Sequence, residues 1–184
     1  LIPGGGNIVS GNTFSGNGVG VEIEGSENNI TGNTIRSNTS SGVILAANYG
    51  SHQKNSVSNN TIAGNGEYGI WVATDALYVN DHNSITGNML SDNGGTGGFS
   101  AIYVSGSSTK NMIANNNITD TAGTGFAIEL ADIATGNTLT GNIYSGTGSS
   151  RISDWATSST RYLQNERLTI DTSMIGNVAH TIFS

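Results

Sequence analysis

Asn28-Asn29-Ile30-Thr31-Gly32-Asn33-Thr34-Ile35 is the stretch that decides the fold, because the chain repeats it. The pattern Asn-x-apolar-x-(Gly/Asn)-Asn-x-apolar starts at Asn7, Asn28, Asn55, Asn83, Asn111 and Asn137. Successive copies therefore lie 21, 27, 28, 28 and 26 residues apart. A fixed period between about 20 and 50 residues marks a solenoid, in which each repeat buries its apolar side only against its neighbours. Each copy also holds a second apolar run after a glycine-bearing turn, at 18–24, 42–46, 69–73, 101–105 and 125–131. Alternation within these runs is that of strands with one buried face. Two or three short strands per copy, joined by tight Asn/Gly turns, describe one coil of a parallel β-helix. The predicted fold is all-β: a right-handed parallel β-helix of about six coils over residues 1–148, followed by a segment, 149–184, that leaves the pattern.

Composition agrees with that period. Of 184 residues, 27 are glycine, one is proline and none is cysteine, and charged residues make up 10% where about 25% is usual. Asn, Gly, Ser and Thr replace the charge and disfavour helices, which excludes helical bundles and α/β nucleotide-binding folds. A net charge of −7 argues against nucleic acid and against an anionic membrane surface as partners. The absence of cysteine excludes disulfides and thiolate metal sites. Leu1 opens almost directly onto the first copy, so the chain reads as part of a longer polypeptide whose N-terminal coils precede it.

Coils stacked about 4.8 Å apart bring equivalent residues into contact. Val9, Ile30, Val57, Ile85, Ile113 and Leu139 then form one inward column, and Phe14, Ile35, Ile62, Leu90, Ile118 and Tyr144 another. Asn12, Asn33, Asn60, Asn88, Asn116 and Asn142 share a turn position where side-chain amides can bond along the axis. Asn also tolerates a left-handed backbone, which suits it to such turns. Threonine columns (Thr13, Thr34, Thr61; Thr31, Thr86, Thr140) are read as exposed strand residues rather than an ice-binding array.

The Asn-x-Ile-x-Gly-Asn-x-Ile and Gly-Ile-x-Val coils resemble the right-handed parallel β-helix repeats of the pectin-lyase-like superfamily over about residues 5–148. That superfamily contains pectate lyases, alginate C5-epimerases, many phage tailspikes and periplasmic NosD-like proteins. The resemblance implies a polysaccharide-handling surface, usually a groove on an outer sheet, in an extracellular or virion-associated protein. Lyase or C5-epimerase chemistry is one function it implies. The other is a non-catalytic shaft of a homotrimeric tailspike or surface protein.

The second apolar run leaves one outward column: Glu22, Ile44, Trp71, Tyr103 and Glu129. Trp71 and Tyr103 on adjacent coils can stack on sugar rings, unless packing covers them. Two long connections, 46–54 and 74–82, carry Tyr49, His52, Lys54, Asp75, Tyr78, Asp81 and His82. Proton abstraction beside a uronate carboxylate would use Lys54 as the cation, with His52 or His82 and Tyr78 as base and acid. Tyr78-x-x-Asp81-His82 resembles the Tyr-x-x-Asp-Pro-His segment of alginate epimerases, without the proline and with His one residue early. Tyr49, Trp71 and Tyr103 are the predicted substrate-binding residues. Calcium is common in the superfamily, but the chain has no Asp-rich ligand loop, so no metal residues are assigned. Residues 151–184 hold three of the six basic residues and read as a cap for the last coil or as an oligomerisation element.

Overall fold

The computed structural model describes residues 1–74, 77–95, 97–119, 125–146 and 152–155, and the backbone of 161–162. Every regular element among them is a strand. Most are three residues long, because a turn follows as soon as one inward side chain has been placed. The first sheet stacks Ile8–Ser10, Asn29–Thr31, Ser56–Ser58, Ser84–Thr86, Met112–Ala114, Thr138–Thr140 and Arg161–Tyr162. The second stacks Thr13–Ser15, Thr34–Arg36, Thr61–Ala63, Met89–Ser91, Asn117–Thr119 and Ile143–Ser145. The third stacks Val21–Ile23, Val43–Ala47, Ile70–Thr74, Ile102–Val104, Ile128–Leu130 and Ile152–Asp154. All pairings are parallel, which makes this a parallel β-helix with the right-handed sense that parallel crossovers adopt. The strands at Ile152–Asp154 and Arg161–Tyr162 continue the stack past residue 148.

Register matches the periodicity of the sequence. Ile30 pairs with Val57, Val57 with Ile85 and Ile85 with Ile113, and all four are fully buried. The column of Ile35, Ile62, Leu90 and Ile118 is equally buried. The third sheet adds two more inward columns, running through Ile70 and Ile102 and through Leu45, Val72 and Val104. Burying each such side chain contributes about 1.5–3 kcal/mol, so a thin core suffices if every coil supplies its share.

Three asparagine ladders line the corners. Asn12–Asn33–Asn60–Asn88–Asn116–Asn142 is the one read from the repeat, and each Oδ1 from Asn33 onward accepts the backbone N–H of the preceding rung. Asn7–Asn28–Asn55–Asn83–Asn111–Asn137 forms a second ladder with the same bonds. Asn17–Asn38–Asn65–Asn93 forms a third. The ladders meet the demand that buried polar groups be paired. One expectation is corrected here: the ladder asparagines are not the left-handed residues. Positive φ falls on the residue just before each, as at Gly32 (64°), Asn59 (55°), Gly87 (65°) and Asn115 (55°). The turn thus divides its labour, one residue bending the backbone and the next bonding along the axis.

Glycine is required for space before the third sheet. A Cβ on Gly42 would lie 2.7 Å from the Gly69 carbonyl oxygen and 2.8 Å from Ile62 Cγ2. That close approach lets the coil turn tightly from the second sheet into the third.

Candidate functional site

The outward column of the third sheet has the register expected of it. Glu22 pairs with Ile44, Ile44 with Trp71, Trp71 with Tyr103 and Tyr103 with Glu129. Trp71 and Tyr103 are partly exposed, while Ile44 is buried under its neighbours. Ile44, Ala46 and Ala73 make a small apolar cluster on the outside of the sheet, with Val19 and Trp71 packed against it. The indole therefore rests on an apolar floor, and its Nε1–H donates to Ser105 Oγ at 3.0 Å.

Two further rings complete the group. Tyr68 stacks on Tyr103 with centroids 4.8 Å apart and planes at 22°, and it lies 5.4 Å from Trp71. Phe99 meets Tyr68 edge-on at 5.1 Å. Such pairs are worth about 0.5–1.5 kcal/mol each beyond the area they bury. Four aromatic side chains thus form one partly exposed surface over two adjacent rungs. Tyr68 and Phe99 were not in the sequence-derived set. Both lie just before the strands, in connections of variable length, where strand alternation assigns no direction.

Carboxylates border the rings. Glu129 Oε2 accepts the Ser100 hydroxyl at 2.6 Å, and Glu67, next to Tyr68, accepts the hydroxyl of Ser40. Burial pushes the Tyr68 phenol from its ordinary 10.0 to about 12, helped by the nearby Tyr103, Glu129 and Glu67. Burial raises Tyr103 too, with Glu129 and Asp132 adding to it. Raising a phenol in the folded state means that the unfolded chain loses this proton first. The contribution is whole below pH 10 and is lost as pH rises towards 12. Alkaline unfolding of Tyr68→Phe is therefore expected to show a shallower loss of stability over that window than the parent chain. Equal slopes would contradict the assignment.

The other predicted residues gather elsewhere on the coil. A two-stranded sheet, His52–Gln53 with Asn80–Asp81, pairs His52 with Asn80 and Gln53 with Asp81, so the two long connections do lie side by side. Lys54 and His82 follow these strands at the corner before the first sheet, both left-handed, with φ of 59° and 53°. Lys54 Nζ lies 3.8 Å from Glu27 Oε1, and His82 Nδ1 lies 2.9 Å from Asp81 Oδ2. The Lys54 ammonium and the His82 imidazole therefore both face carboxylates of the protein. The Tyr78 carbonyl accepts from the Thr74 hydroxyl, and its side chain is half-buried. Tyr49 is 85% exposed, in the connection before His52. Asp75 lies outside the described residues. Trp71 and Tyr103 share the third sheet, whereas His52, Lys54, Asp81 and His82 sit one element further along the coil.

A model of the family described as periplasmic copper-binding protein (NosD) matches residues 3–107, more than half of the chain. The chain belongs to the NosD family. No curated protein matches it. All four rings and both long connections of this NosD-family chain fall within the matched residues. Copper takes imidazole and soft sulfur ligands. The chain has no cysteine, and among the described residues no three His, Cys, Asp or Glu side chains are grouped to hold an ion. His82 meets Asp81 through Nδ1, while Met89 and Met112 stand on different sheets. The described residues do not fit a copper centre.

Proposed function

We propose that this NosD-family β-helix binds polysaccharide outside the cytoplasm, on the aromatic face of its third sheet. The observation that carries the reading is the pairing of Trp71 with Tyr103 on adjacent rungs, with Tyr68 stacked on Tyr103. Sugar rings present apolar C–H faces that aromatic rings cover, and hydroxyls that bond to groups at the rim. A parallel β-helix holds such rings on a rigid surface, so little freedom is lost on binding. The family's periplasmic description supports the location. Affinity electrophoresis of the whole chain in gels carrying neutral, uronic-acid or amino-sugar polysaccharides tests the reading. Retardation by at least one of them is expected. Unchanged migration in all three would overturn it.

A further inference from the structure

The face that carries the rings has a charge pattern of its own. Glu22 and Glu129 stand in the same outward column as Trp71 and Tyr103, and Glu129 is the rung next to Tyr103. Glu67 adjoins Tyr68, and Asp132 follows the strand Ile128–Leu130 on the exposed side. The described basic side chains lie elsewhere. Arg36 is on the second sheet, while Lys54 and Lys110 are left-handed corner residues preceding Asn55 and Asn111 of an asparagine ladder. Among the described residues, the third sheet thus carries carboxylates and no Lys or Arg.

That arrangement selects among saccharides. A uronate would bring its carboxylate against Glu129 and Glu67, with no cation on the sheet to receive it. A neutral sugar could use the rings and donate hydroxyls to the carboxylates, but it brings no opposite charge to them. An ammonium group could use both, since a cation over a tyrosine or tryptophan face is attracted by the ring and a carboxylate within reach adds a charge-assisted bond. Resting on the polysaccharide-binding reading above, we infer that the ligand of this face is a polysaccharide of amino sugars with free ammonium groups, seated on Tyr68, Trp71 and Tyr103 beside Glu67 and Glu129. The raised Tyr68 and Tyr103 phenols agree with it, since Glu129 contributes to both.

Calorimetric titration of the whole chain with three tetramers tests this: glucosamine, N-acetylglucosamine and galacturonate. Glucosamine tetramer is expected to bind about tenfold more tightly than its N-acetylated form, the size of one charge-assisted contact, and to weaken with added salt. Glu129→Gln keeps an acceptor for Ser100 and is expected to lower affinity for the glucosamine tetramer by about tenfold. Equal or tighter binding of the N-acetylated or galacturonate tetramer, lost in Trp71→Ala, would overturn the charge inference and leave the aromatic platform standing. Binding of none of the three, together with unchanged migration in all the polysaccharide gels, would overturn both.

Discussion

Replacing Trp71 by alanine is expected to weaken polysaccharide binding by about 2 kcal/mol, roughly thirtyfold, as losing a central aromatic anchor does. The indole supplies the broad apolar surface between the Ile44 cluster and Tyr68, and truncation leaves Tyr68 stacked on Tyr103 with only Phe99 edge-on beside it. Trp71 points out of the β-helix, while its strand neighbours Ile70 and Val72 fill the core. The coil should therefore survive the change, at the cost of some packing on Ala46 and Ala73 and of the bond to Ser105. Trp71→Phe separates the two effects. It keeps a ring on the same floor but cannot donate to Ser105, so it should recover most of the affinity. A thermal midpoint measured beside each titration guards against a folding artefact. Full affinity in Trp71→Ala would remove the aromatic face as the binding surface.

The second large effect concerns Asn60, in the middle of its ladder. Its Oδ1 accepts both the backbone N–H and Nδ2–H of Asn33, and its Nδ2 donates to the Ile30 carbonyl and to Asn88 Oδ1. The residue is 1% exposed. Asn60→Ala strips partners from groups on the rungs above and below, in a place water does not reach. Each buried polar group left unpaired costs about 1–3 kcal/mol, so a total of about 2–5 kcal/mol is expected. Urea unfolding followed by circular dichroism measures it. Asn59→Gly is the internal comparison: Asn59 is exposed with φ at 55°, a conformation glycine adopts without strain, so its change should be close to neutral. A similar loss in both variants would mean that the corner, rather than the ladder, carries the stability.

These two residues mark how far the sequence could be read. Asn60 belongs to a column visible as a repeat, and its ladder bonds follow from the stacking that the repeat implies. A signal for the other two ladders was present as well: Asn28, Asn33 and Asn38, like Asn55, Asn60 and Asn65, recur five residues apart. Five residues are one short strand plus one turn, so every corner of these coils asks for the same residue. The outward placement of Trp71 and Tyr103 was legible for a similar reason. Strand alternation fixes facing, and a one-residue slip would have exposed Ile70 and Val72. Tyr68 and Phe99 were not legible, because connections between strands carry no periodicity.

The loop residues show the same division. Proximity of the two long connections could be inferred from their place in successive coils, and the pairing of His52 with Asn80 bears that out. What the side chains face could not be inferred, since it depends on local turns. The left-handed corner sets Lys54 towards Glu27 and His82 towards Asp81.

From the sequence alone came the coil, its register and the column of inward aliphatics, because those depend on repetition and each repeat must bury its apolar side against the next. The partners of each ionisable group, the fourfold aromatic face and the acidic character of the sheet that carries it were decided only in three dimensions. Charges and rings in unequal connections meet across rungs, and those meetings depend on turn geometry that no period encodes.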